Sequence, residues 1–171
     1  MSPRPQRSVW FADRRVHSCA LDVGPLTRRA DVEPRGVFDR PNVLLIDDCA
    51  EQRDLYEFAL AREFNILTAA RGAEGASLAA RERPDAIILD VLMPGMDGWE
   101  TCTHIKCNAR TAHIPVILLT GTNDRDLSQH AIAVGATAVL KKPCPADRLR
   151  DAILAAMSVS AHERQRPRPG S

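Results

Sequence analysis

Short apolar runs recur from residue 41 onward, and each is followed by a mixed stretch with helical spacing. Val43–Ile46, Phe64–Ala69, Asp85–Leu89, Val116–Leu119 and Ala138–Leu140 are brief and bounded by polar or turn residues, as buried strands are. Between them the spacing predicts helices. Ala50–Glu63 carries Leu55, Phe58, Ala59 and Arg62 at helical intervals. Gly72–Arg83 is Ala-rich and stops before Pro84. Trp99–Cys107 follows a loop built on Pro94, Gly95 and Gly98. Asn123–Val134 ends at Gly135, and Ala146–Met157 is the last helix. Five strands alternating with five helices require crossover connections. The expected class is α/β, with a parallel sheet covered on both faces.

Outside this body the pattern lapses. Residues 1–40 mix Pro, Arg and isolated apolars, with Val9-Trp10-Phe11 as the one aromatic cluster. They read as a disordered basic leader, with two alternatives: a docking motif at the aromatic cluster, or a stretch outside the natural product. Residues 159–171 read as a disordered Arg/Pro tail, which leaves 41–158 as the folded domain. Charge follows the same division. The leader holds eight Arg against five acids, and residues 158–171 hold three Arg against one Glu. With +1 for the whole chain, residues 41–157 carry −4. An acidic body gives no field for DNA, and the basic arms read as solvated. No apolar run is long enough for a membrane span, and no secretory h-region precedes the body. Five cysteines without a tight framework point to a reducing, cytoplasmic setting. Cys102 and Cys107 read as packing residues, and His104, His113 and His130 as surface residues.

The candidate chemistry lies where the runs end. The first run ends in Asp47-Asp48, the third in Asp90, the fourth in Thr120, and the fifth in Lys141-Lys142-Pro143. A parallel sheet brings these carboxyl ends to one edge, where α/β proteins bind ligands. Adjacent carboxylates repel, so Asp47 and Asp48 call for a cation such as Mg²⁺, although Asp48 is equally suited to cap the next helix. Asp90 is either a turn residue or, beside a cation, a nucleophile toward phosphorus. Thr120 offers a hydroxyl to a phosphoryl oxygen, or simply a β-branched strand or cap residue. A lysine ammonium here would pair with Asp90 and then with a phosphoryl group. Lys141 and Lys142 compete for that role, and strand alternation sends them opposite ways.

Leu44-Leu45-Ile46-Asp47-Asp48, Leu89-Asp90-Val91-Leu92-Met93-Pro94-Gly95-Met96-Asp97-Gly98, Leu118-Leu119-Thr120-Gly121 and Leu140-Lys141-Lys142-Pro143 together closely resemble the receiver domain of two-component response regulators. The resemblance spans about residues 41–157. It implies a flavodoxin-like doubly wound (βα)5 fold with strand order 2-1-3-4-5. It implies Asp90 as phosphoacceptor and Asp47 with Asp48 as the acidic pair. Mg²⁺ would be held by Asp48, Asp90 and the backbone carbonyl of Leu92. Thr120 would be the switch hydroxyl. Lys142 would be the site lysine, because the family's lysine directly precedes proline. Two positions depart from the pattern: Val139 stands where an aromatic switch residue is common, and Cys144 where Phe commonly follows Lys-Pro.

The function implied is a stand-alone response regulator that is not an enzyme in its own right. A sensor histidine kinase or histidine phosphotransfer protein would phosphorylate it, and slow self-dephosphorylation would reset it. It would act on a protein target through residues 123–157, without DNA or membrane contact. The competing reading is a receiver-like binding module that never uses phosphate, to which Val139 lends weight.

Overall fold

The computed structural model describes residues 40–122 and 126–165. The leader before Arg40, the segment 123–125 and residues 166–171 lie outside the described part, and so does the expectation made for each.

Five strands form one parallel sheet: β1 (Asn42–Ile46), β2 (Asn65–Ala69), β3 (Ala86–Asp90), β4 (Val116–Thr120) and β5 (Ala138–Lys141). Their order is β2-β1-β3-β4-β5, as the resemblance implied. The intervening helices are α1 (Ala50–Leu60), α2 (Gly72–Glu82), α3 (Gly98–Cys107), α4 (Leu127–Ala133) and α5 (Ala146–Gln165). β3 and β4 are buried along their whole length, which suits their unbroken Ile, Leu and Val content.

Side-chain alternation splits the core in two. Val43, Leu45, Ile88, Ile117, Leu119 and Leu140 face α1 and α5. Leu44, Ile46, Ile87, Leu89, Leu118 and Val139 face the opposite cluster, with Ala76, Ala79, Cys102, Ile105, Leu127 and Ala131 from α2, α3 and α4. Among the described residues, no helix is long and apolar enough to cross a membrane.

Three expectations need correction. On α1 the sheet-facing residues are Tyr56 and Leu60, whereas Leu55 is 63% and Phe58 85% exposed. The stripe that matters runs Tyr56, Leu60 and on to Phe64 at four-residue intervals, and the helix stops at Leu60 rather than Glu63. Helix α5 continues through Gln165, so residues 159–165 are helical and not a disordered tail. Ser160 anchors that extension: it is buried, and its hydroxyl donates to the His113 carbonyl at 2.8 Å. Finally, Cys102 is fully buried as expected, but Cys107 stands exposed at the end of α3.

Candidate functional site

The sheet order reverses between β1 and β3, and there the strand ends leave a crevice. Asp47 and Asp48 follow β1 directly, and Asp90 closes β3. Their carboxylate oxygens lie within 4.8 Å of one another. Asp47 and Asp90 are buried and Asp48 is exposed.

Each buried carboxylate is held by its own chain as well as by its neighbours. Asp47 Oδ1 accepts from the Cys49 amide at 2.8 Å, and its backbone carbonyl accepts from Arg53 Nη1 at 2.6 Å. Asp90 Oδ1 accepts from the Leu92 amide at 3.3 Å. The open question at Asp48 is answered locally. Cys49, not Asp48, is the N-cap of α1, so Asp48 is spared for the crevice.

Lys142 enters from the far side of the sheet edge. Its Nζ lies 2.8 Å from Asp47 Oδ2 and 3.0 Å from Asp90 Oδ2. Lys141, one residue earlier, is exposed, as alternation requires. The Lys142 amide donates to the Thr120 carbonyl at 2.8 Å, which ties the lysine to the end of β4. The Lys142–Pro143 peptide is cis.

Thr120 is fully buried at the end of β4, next to β3 through the Asp90–Leu119 register pair. Its hydroxyl accepts from the Thr122 amide at 3.1 Å and lies 3.0 Å from the Thr122 hydroxyl. The following segment 123–125 is outside the described residues. Val139 is buried in the cluster shared with α3 and α4, so an aliphatic side chain fills the position where a ring was common.

Three carboxylates around one ammonium leave a net charge of −2 when all are ionised. One cation cannot satisfy three anions, and burial sharpens the imbalance. Burial pushes the Asp90 carboxyl above its ordinary value, the Lys142 hydrogen bond and charge pull it down, and the Asp47 charge raises it further. For Lys142 the largest single influence is burial, which lowers its pKa. Hydrogen bonds and charges from Asp47 and Asp90 outweigh it, and the ammonium is held above its usual range. A divalent cation would bring the cluster to neutrality. The donor set, carboxylates with the backbone carbonyl of exposed Leu92 close by in sequence, is all oxygen, which is what Mg²⁺ takes. The residues present therefore fit that ion.

The sequence profile of the response regulator receiver domain matches residues 43–154. The chain belongs to that family. Among similar receivers, PleD, a response regulator of Caulobacter vibrioides, is 39% identical over 102 residues, covering 59% of this chain and 22% of PleD. Sporulation initiation phosphotransferase F of Bacillus subtilis is 32% identical over 112 residues, covering 65% of this chain and 89% of that protein. The receiver fold of the chemotaxis protein CheY4 of Vibrio cholerae aligns with a TM-score of 0.65 at 30% identity, covering 68% of this chain and 98% of CheY4. The chain spans about a fifth of PleD, and relatives in this family include regulators with further domains.

Three contributors to this receiver's site escaped the sequence reading. Asp97 caps α3 by accepting from the Glu100 amide at 2.8 Å, and the Asp-x-x-Glu spacing was a readable signal for it. Arg53 and Tyr56 brace the site from α1, and no local pattern announced either.

Proposed function

We propose that this receiver is a phosphoacceptor switch, phosphorylated on Asp90 by a sensor histidine kinase or a histidine phosphotransfer protein. The observation that carries the reading is the Lys142 ammonium seated between two buried carboxylates, with a third carboxylate within reach. An Asp90 oxygen attacks the phosphorus of a phosphohistidine. The N–P bond breaks, and the imidazole leaves with its electron pair. Asp47, Asp48, Asp90 and the Leu92 carbonyl would hold Mg²⁺, which when bound supplies charge neutralisation at the phosphoryl oxygens. The chain's own work is positioning. Lys142 exchanges a carboxylate partner for a phosphoryl oxygen, and the Thr120 hydroxyl gives up Thr122 to donate to another. Hydrolysis of the acyl phosphate returns the protein to rest.

The same reading places the output on the face made by α4, β5 and α5, in a cytoplasmic signalling system that works by protein contact. The acidic body supports a protein partner over nucleic acid. The match along 89% of a sporulation phosphotransferase supports a place in a relay.

Incubation with acetyl phosphate and Mg²⁺, followed by intact mass, tests the proposal. The protein should gain one phosphoryl group, Asp90→Asn none, and Asp48→Ala should react more slowly. An adduct of undiminished rate on Asp90→Asn would refute the assignment. A second reading, a binding module indifferent to phosphate, draws on the buried aliphatic Val139. It requires a partner to bind Asp90→Asn and the phosphorylated protein equally well.

A further inference from the structure

Lys142 must span two carboxylates with one ammonium, yet it stands on a turn poor in bonds of its own. The turn reads Lys142-Pro143-Cys144-Pro145, and two of these four residues have no amide hydrogen. The Lys142 amide is held by Thr120, and the next backbone bond comes when Pro145 accepts from Leu149 in α5. Between these points the described hold from another element is a side chain. The Tyr56 hydroxyl donates to the Cys144 carbonyl at 3.0 Å.

Tyr56 is suited to that task. It is the only tyrosine of the chain, it is buried, and it shares the α1/α5 cluster with Cys144, Leu149 and Ile153. Burial is the largest influence on its hydroxyl and pushes its pKa up, so it stays a donor across the physiological range. It also has a counterpart on the same helix. Arg53, three residues earlier, grips the Asp47 carbonyl at 2.6 Å. One helix thus takes hold of both sides of the ion pair: Arg53 fixes the backbone of the acid, and Tyr56 fixes the turn that carries the base. The small Cys144 side chain, where Phe is common in this family, leaves the hold on that turn to the ring and hydroxyl arriving from α1.

We propose that Tyr56 is a positioning residue for phosphoryl transfer, setting the reach of Lys142 through the Cys144 carbonyl. The inference rests on the phosphoacceptor reading above. It concerns only the placement of the ammonium; Tyr56 touches no reacting atom.

Tyr56→Phe keeps the ring and removes the donor, so it is the deciding variant in the full-length chain. Two measurements are made: the rate of phosphorylation by acetyl phosphate at saturating Mg²⁺, and the ¹⁵N signal of the Lys142 ammonium. The wild-type ammonium, held by two carboxylates, gives a sharp signal, which Tyr56→Phe broadens or shifts. The rate falls about tenfold, the size of effect that a small misplacement of a catalytic group produces. Mg²⁺ affinity, measured by calorimetry, stays within about twofold, because the Asp47 and Asp90 carboxylates keep their bonds from the Cys49 and Leu92 amides, and Arg53 still holds the Asp47 backbone carbonyl. A variant with the wild-type rate and an unchanged ammonium signal overturns the proposal. So does a rate loss matched by an equal loss of Mg²⁺ affinity and a large drop in melting temperature, which marks general loosening. If the wild-type protein takes no phosphoryl group, the functional reading fails, and the ammonium signal alone still decides whether Tyr56 positions Lys142.

Discussion

Asp90 is the residue at which stability and reactivity oppose each other. Its pKa is raised in the folded chain, chiefly by burial. A carboxyl of this kind stabilises the fold when protonated, below the ordinary aspartate range. That contribution is lost as the pH rises through its elevated value. At neutral pH the buried charge is therefore a cost to the metal-free protein. Lys142 shifts the other way in effect: its raised value keeps the ammonium charged throughout the acid and neutral range, so it adds no slope there. Asp90→Asn should accordingly melt a few degrees higher than wild type at about pH 7 without Mg²⁺, and the two should converge near pH 3. Equal melting curves at both pH values would mean that the Asp90 charge is fully compensated. The grouping of these residues was legible in the chain because they are polar residues ending apolar runs, a contrast that needs no tertiary information. What holds them in place was not. Tyr56 and Arg53 make contacts 88 and 6 residues along the chain, to backbone carbonyls that have no sequence identity to read.

Elements bring these residues together, and the start of α3 is pinned against the Asp90 strand end. Its first residue, Gly98, donates to the Val91 carbonyl at 3.0 Å. A methyl group there would overlap the Asp90 carbonyl oxygen and come within 2.6 Å of the Val91 Cα. Both obstacles are backbone, so neither can rotate away. Gly98→Ala should cost about 3 kcal/mol in denaturant unfolding and slow phosphorylation, since relief requires moving the Asp90 strand end. A variant as stable as wild type would show that α3 can slide outward freely. At the opposite end of the chain, Ser160→Ala should cost about 1 kcal/mol by removing the Ser160 hydroxyl's hydrogen bond to the His113 carbonyl. A chain cut after residue 158 should lose at least as much. Strand positions were readable to within about a residue because fully buried parallel strands are unbroken apolar runs. Helix faces and ends were harder. The helical spacing of Leu55 and Phe58 located α1 but not its buried face, which the direction of the sheet gives to Tyr56 and Leu60. The last turns of α5 carry Ser, His and Arg, and their order depends on a hydrogen bond to a distant loop.

For the whole molecule, the proposed switch requires that the ion and the phosphoryl group be felt beyond the crevice. Mg²⁺ binding at the acidic cluster should stabilise the folded state by about 2.7 kcal/mol at a hundredfold excess over its dissociation constant, and Asp48→Ala should lose most of that gain. On the proposed function, the route outward runs through the two helices that follow the strand ends of Asp90 and Thr120. α3 leaves the loop after Asp90, and α4 follows the segment after Thr120. The two meet where the Trp99 and His130 rings stack, 4.3 Å between centroids and 8° from parallel. Val139 is buried in the same cluster as α3 and α4 residues and has no ring to swing, so the proposed switch is expected to act through α4 itself. Moving α4 against the fixed start of α3 would disturb the stack, since ring pairs hold favourable geometry only over a narrow range of offset and spacing. Trp99 fluorescence, read in a Trp10→Phe background so that one indole remains, should therefore change when beryllofluoride and Mg²⁺ occupy the site. The size of the change is bounded by the differential affinity of the two states for the phosphoryl group. An emission spectrum that is unaltered while amide NMR signals beside Asp90 move would confine the response to the crevice. That result would favour the phosphate-indifferent module, because no surface would then carry the signal to a partner.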